Sequence, residues 1–125
     1  MNRGKILLID DKEEDLRVTK ELLEKAGYTV IENLGWLGST KMIKTFKPDL
    51  VLLDVNMPAL SGDRLYDLFE QSVRADGIPV IFYSSLEESL LKRLVLQKQV
   101  RDYIAKGDVF LLYKKNFPSH QKKAH

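Results

Sequence analysis

The stretch Asp49-Leu50-Val51-Leu52-Leu53-Asp54-Val55-Asn56-Met57-Pro58 decides the fold. Four large aliphatics, Leu50 to Leu53, run straight into an acid, and the segment stops at Met57-Pro58. An unbroken apolar run of strand length marks a β-strand buried on both faces of a parallel sheet, where in-out alternation is not required. Asp54 then stands at the carboxyl end of a central strand, beneath a loop fixed by Pro58 and Gly62. That edge is where open α/β sheets bind their ligands. Taken alone, the run fits equally an acid that merely ends a strand or caps the next helix.

Working outward, the same signature recurs. Lys5-Ile6-Leu7-Leu8-Ile9 is a second short apolar run, and it ends in Asp10-Asp11. Lys12 to Ala26 reads as a helix with an acidic first turn (Glu13, Glu14, Asp15), one apolar face of Leu16, Leu22, Leu23 and Ala26, and Gly27 as its stop. Tyr28-Thr29-Val30-Ile31 is a strand, and Ser39, Met42, Ile43 and Phe46 fall at helical spacing before Pro48. Past the central strand, Gly62 opens a helix expected to turn Leu65, Leu68 and Phe69 inward, and Asp76-Gly77 turns the chain. Pro79 to Tyr83 is a fourth strand delivering Ser84-Ser85, followed by a helix from Glu87 that carries Leu90, Leu91, Leu94 and Val95. Asp102 to Ala105 is a short fifth strand delivering Lys106, and Val109 to Phe117 reads as a last helix closed by Pro118. Alternating strands and helices require a parallel sheet with right-handed crossovers. Five such units predict an α/β, flavodoxin-like doubly wound sandwich.

Composition bounds the function. The chain of 125 residues is the size of one domain, expected over residues 1–117 with a basic tail over 118–125. With no cysteine, neither a disulfide framework nor a thiolate metal site is available. No apolar stretch is long enough to span a bilayer, and the start Met1-Asn2-Arg3-Gly4-Lys5 leaves no room for a signal peptide, so a cytoplasmic protein is expected. The net charge of +2 arises in residues 106–125, where five lysines face Asp108 alone. That segment lacks arginine, and its aromatics read as core, so nucleic acid is not the expected partner.

The chemistry sits at the strand ends. Parallel strands bring their carboxyl ends to one edge, so Asp10, Asp11, Asp54, Ser84 and Lys106 should converge. Carboxylates packed together repel one another, and a bound cation keeps them ionised. All-oxygen ligation by few protein groups suits Mg²⁺. An ammonium and a hydroxyl beside such a cation are what the oxygens of an incoming phosphoryl group need. No glycine-rich loop follows the first strand, so the site can hold a phosphoryl group without cradling a nucleotide.

Asp10-Asp11, the Asp-x-x-Met-Pro-x-x-x-Gly motif from Asp54 to Gly62, Ser84 and Tyr103-Ile104-Ala105-Lys106, in that order, resemble the receiver domain of bacterial response regulators. The likeness covers roughly residues 4–117. It implies the strand order 2-1-3-4-5 with five helices, and Asp54 as the phosphoacceptor for a sensor histidine kinase or phosphotransfer protein. It further implies Mg²⁺ held by Asp11 and Asp54, by Asp10 largely through water, and by the backbone carbonyl of Asn56. Ser84 is then the switch hydroxyl, Lys106 the phosphoryl-contacting lysine, and Tyr103 the aromatic that turns inward after the switch. The implied output is a changed surface for a downstream protein target, with no enzymatic turnover beyond self-phosphorylation and self-dephosphorylation.

The chain departs from the family in four places. Gly107 replaces the usual cis-proline after the lysine, Ser85 a smaller residue, and Lys98-Gln99-Val100 a small-Gly-small turn. The last helix is short and apolar, and with Leu90, Leu91, Leu94, Val95 and Leu96 it offers more apolar surface than one core face absorbs. That excess suggests a partner or self-association surface, and the resemblance implies a homodimer face on the fourth helix, fifth strand and fifth helix. Two alternatives stand beside the phosphoacceptor. One is a receiver-like interaction module that works without phosphorylation. The other is a Mg²⁺-dependent aspartyl-phosphate phosphatase, against which Asn56 argues by standing where a proton-donating acid is needed.

Overall fold

The computed structural model describes residues 3–56 and 62–115. Five strands and their connecting helices alternate along the chain: β1 (Lys5–Asp10), α1 (Glu13–Lys25), β2 (Thr29–Leu34), α2 (Ser39–Phe46), β3 (Leu50–Asp54), α3 (Gly62–Ala75), β4 (Val80–Ser84), α4 (Glu88–Lys98) and β5 (Asp102–Ala105). A 3-10 helix, Lys106–Lys115, follows β5 without a loop. The sheet is wholly parallel in the order β2-β1-β3-β4-β5, as the resemblance implied. Every residue of β3 and of β4 is buried, which accounts for unbroken apolar runs in place of alternation.

The sheet separates two cores. Ile6, Leu8, Leu50, Leu52, Ile81, Tyr83 and Ile104 pack on one face against α1 (Leu16, Leu23) and the 3-10 helix (Val109, Leu112). Leu7, Ile9, Val51, Leu53, Val80 and Phe82 pack on the other against Ile43 of α2, Leu65, Phe69 and Val73 of α3, and Leu91 of α4. The period-two alternation of strand side chains fixes this division. It also decides which face each strand-end residue serves. Asp10 continues Ile6 and Leu8, Asp54 continues Leu50 and Leu52, and Lys106 continues Ile104, all toward α1. Ser84 continues Val80 and Phe82 toward the α3 and α4 side.

Two expectations are corrected. Leu68 is 62% exposed, because α3 buries Leu65, Tyr66, Phe69 and Val73, and Leu68 falls outside that stripe. The last helix is 3-10, not α, and begins at Lys106 instead of Val109. Its burial repeats every three residues: Val109 and Leu112 are buried, Lys106 and Lys115 are partly covered, and Phe110 and Tyr113 face out. Side chains three apart eclipse in a 3-10 helix, so this three-residue row is the face that a tighter winding presents to the core. The expected helix end at Asn116-Phe117, the tail over 118–125 and the Met57-Pro58 part of the central motif lie outside the described residues. Among the described residues, no helix is long and apolar enough to cross a membrane.

Candidate phosphoacceptor site

The carboxyl ends of β1, β3 and β5 bring the acids and the lysine into contact. One carboxylate oxygen from each of Asp10, Asp11 and Asp54 lies within 4.8 Å of the others. Asp10 and Asp54 are fully buried. The Lys106 ammonium lies 2.8 Å from Asp15 Oδ2, 3.1 Å from Asp10 Oδ2 and 3.3 Å from Asp54 Oδ2. Replacing the usual proline by Gly107 therefore leaves the lysine within reach of Asp54.

Backbone groups fix the two buried carboxylates. The Asn56 N–H donates to Asp54 Oδ1 at 2.9 Å and the Lys12 N–H to Asp10 Oδ1 at 3.0 Å. Each spans two residues, so the turn after each strand holds its own acid in place. The Tyr83 hydroxyl donates to Asp10 Oδ2 at 2.5 Å and also takes part in a hydrogen bond with Thr19 of α1. Lys106 Nζ sits 5.2 Å from the centre of the Tyr83 ring, within range of a cation–π attraction. Tyr83 was not among the expected site residues. Inside Val80-Ile81-Phe82-Tyr83 it reads as core, yet its parity with Ile81 points it to the face that Asp10 and Asp54 share.

Burial pushes the Asp54 carboxyl up to about 6, and a side-chain hydrogen bond with Asp10 and that residue's charge add to the rise, against the opposing Asn56 N–H and Lys106. Burial pushes Asp10 the same way, but hydrogen bonds from Tyr83 and the Lys12 N–H outweigh it and hold Asp10 below its ordinary value. Burial works against the Lys106 charge, and the hydrogen bond to Asp15 with the fields of Asp54 and Asp10 more than restores it. Lys106 is therefore a fixed cation beside an acid poised close to neutrality.

The residues present fit a hard divalent cation. Asp11 Oδ1 is buried without a hydrogen-bond partner, whereas the oxygens of Asp10 and Asp54 are engaged. An orphaned carboxylate oxygen beside two further carboxylates is a donor awaiting a cation.

The hydrogen bonds of Ser84 and Tyr103 go to groups other than these acids and Lys106. Ser84 is buried, and its hydroxyl accepts the Leu86 N–H at 3.0 Å. The Tyr103 hydroxyl donates to Glu88 Oε2 of α4 at 2.6 Å, and Lys115 Nζ lies 5.1 Å from its ring centre. That hydrogen bond, with burial and the Glu88 charge behind it, pushes the Tyr103 phenol up to about 12. Tyr103 is thus turned toward α4, and with Leu86, Leu91 and Leu111 it lines a groove of about 410 Å³. Ser85, the other departure near the site, is exposed.

Comparison with known proteins gives a consistent answer. The family model described as the response regulator receiver domain matches residues 6–109. PilH of Pseudomonas aeruginosa is 28% identical over 103 residues, covering 82% of this chain and 85% of that protein. The alkaline phosphatase synthesis transcriptional regulatory protein PhoP of Bacillus subtilis is 33% identical over 106 residues, 85% of this chain but 43% of the relative. A hybrid signal transduction histidine kinase of Dictyostelium discoideum matches at 29% over 84% of this chain and only 7% of its own length. This chain thus spans less than half of those two relatives. Among solved structures, a CheY-like receiver domain protein of Methanospirillum hungatei superposes with a TM-score of 0.78 at 22% identity, over 96% of this chain and 98% of that one. The BeF3-activated receiver domain of Klebsiella pneumoniae RstA does so with a TM-score of 0.72 at 27% identity, over 88% and 93%.

Proposed function

This chain belongs to the response regulator receiver family, and from that premise we propose that Asp54 is its phosphoacceptor, served by Lys106, Ser84 and the acids Asp10 and Asp11. Receiver domains of two-component systems take up a phosphoryl group and pass a changed surface to a partner. The observation that carries the residue assignment is the Lys106 ammonium, 3.3 Å from a fully buried Asp54 carboxylate, beside the orphaned Asp11 oxygen. An Asp54 oxygen attacks the phosphorus of a phosphohistidine. A new O–P bond forms, the N–P bond breaks, and its electron pair stays on the imidazole nitrogen. Lys106 meets the charge on the transferring oxygens, and the surrounding burial strengthens that attraction.

Asp11, Asp54 and the Asn56 carbonyl are the ligands we assign to Mg²⁺, with Asp10 beside them; when bound, the ion neutralises charge on the phosphoryl oxygens. A phosphoryl group brings about −1.5 to −2 charge. Ser84 supplies a hydroxyl to it, and Tyr103 leaves Glu88 for the space beside Ser84. The readout surface is α4, β5 and the 3-10 helix, where Leu96, Phe110 and Tyr113 are exposed. That surface meets a downstream protein or a second copy of this chain. A sensor histidine kinase or phosphotransfer protein is the donor, and we place the domain over residues 1–117 of a cytoplasmic protein. The site has no group in place of Asn56 to protonate a leaving alcohol, which favours an acceptor over a phosphatase.

Intact mass after incubation with acetyl phosphate and Mg²⁺ tests the reading. Wild type is expected to gain one labile phosphoryl group, absent from Asp54→Asn and from a chelator control. An unmodified but folded wild type overturns it in favour of signalling without phosphorylation.

A further inference from the structure

We infer that Asp15 is a positioning residue that draws the Lys106 ammonium toward α1, away from the seat that a phosphoryl group on Asp54 would take. The inference rests on the phosphoacceptor reading and adds a residue that tunes it. An ammonium has three N–H donors and no acceptor. Three carboxylate oxygens lie within bonding range of Lys106 Nζ, so its capacity is filled. The shortest of the three contacts, 2.8 Å, goes not to either site acid but to Asp15 in the first turn of α1.

The three partners differ in what else holds them. Asp54 Oδ1 takes the Asn56 N–H, and Asp10 takes the Lys12 N–H and the Tyr83 hydroxyl, so both are pinned at buried strand ends. Asp15 has a side chain 38% exposed to solvent, on a helix whose N-terminus favours a negative charge with or without the lysine. Asp15 is therefore the partner that can release Lys106 at least cost. A phosphoryl oxygen on Asp54 needs one of the three N–H groups, and the contact it competes with is the one to Asp15. By linkage, whatever Asp15 contributes to holding the lysine is subtracted from the lysine's grip on the phosphoryl group.

Beryllofluoride, which forms a carboxylate adduct shaped like an acyl phosphate, reads this competition at equilibrium. Its Kd is measured with Mg²⁺ in excess, by the fluorescence of Trp36, the chain's single tryptophan. Trp36 adjoins Gly35, whose N–H is bonded to the Asp10 carbonyl at 2.7 Å. Asp15→Asn is expected to bind about three- to fivefold more tightly than wild type, the upper part of the range of a partly exposed ion pair. Asp15→Glu, which restores a carboxylate, is expected to return to within about twofold of wild type. In a Lys106→Met background the Asp15→Asn change is expected to have no effect.

Unchanged or weaker binding by Asp15→Asn, or a Kd for Asp15→Glu that stays with that of Asp15→Asn, overturns the inference. Tightening that persists without Lys106 also overturns it, since Asp15 would then act by repelling the anion. No adduct on wild type overturns the phosphoacceptor reading and this inference together. An adduct on wild type with no response to Asp15 overturns this inference alone.

Discussion

At the scale of single residues, the site is a set of charges that burial makes expensive and geometry makes tolerable. Asp54 shows the expense. A folded-state rise from 3.8 to about 6 amounts to on the order of 3 kcal/mol of stability lost on ionising this group. The native state holds the proton more tightly than the unfolded chain, so stability falls as pH rises from about 4 to about 6. In metal-free protein, Asp54→Asn is expected to be more stable than wild type above pH 6, with the gap closing toward pH 4. Urea unfolding across that window checks it, and a gap independent of pH would refute it. Asp10 has the opposite sign. Its lowered value contributes stability above its unfolded pKa and loses it as pH falls below. Tyr83 is one source of that contribution. Tyr83→Phe keeps the ring but removes a hydrogen bond to a buried carboxylate, and a loss of about 1–3 kcal/mol is expected by the same unfolding measurement. The acids and Lys106 were legible in the sequence because a charge after an apolar run has no packing reason to be there. Tyr83 was not, because an aromatic within such a run packs well whether or not its hydroxyl has work.

At the scale of elements, two departures from the family pattern have local physical answers. The turn between α4 and β5 needs a left-handed residue, and here Gln99 occupies it with φ +57°. A side chain in that region is strained by about 1–2 kcal/mol, which glycine avoids at a smaller entropic cost in the unfolded chain. Gln99→Gly is therefore expected to stabilise the fold by about 0.5–1 kcal/mol, read as a higher urea midpoint with unchanged slope. Destabilisation would mean that the Gln99 side chain contributes packing that outweighs the strain. The terminal helix was legible as a helix but not as a 3-10 one. Val109 and Leu112, three apart, satisfy either winding, and only their packing under β5 against the α1 core selects the tighter form. Leu68 erred for a related reason. Apolar character at helical spacing admits several stripes, and the sheet settled on the one through Leu65 and Phe69.

At the scale of the molecule, the strand parity that divides the two cores also divides the two tasks. Charge handling lies on the α1 face, through Asp10, Asp54, Tyr83 and Lys106. The proposed switch lies toward α4, through Ser84 and Tyr103. In the proposed mechanism a phosphoryl group on Asp54 at the carboxyl edge would engage both, giving a local charge a remote readout. The convergence of strand ends followed from the sequence alone, because topology makes it unavoidable. The resting position of Tyr103 did not, because its bond to Glu88 depends on where α4 settles. In the proposed switch Tyr103 would leave Glu88 and the α4 face would lose a polar tie, on a surface where Leu96, Phe110 and Tyr113 are already exposed at 79%, 52% and 52%. A stable interface buries about 800 Å² on each partner, with a few aromatic anchors carrying most of the energy. Sedimentation equilibrium with Mg²⁺ is therefore expected to show self-association that strengthens on adding beryllofluoride. Phe110→Glu should weaken that association at least about tenfold while leaving adduct formation intact. If the adduct forms and wild type stays monomeric at all concentrations, the face serves a different protein, and Tyr103 reports to that partner instead of to a second copy.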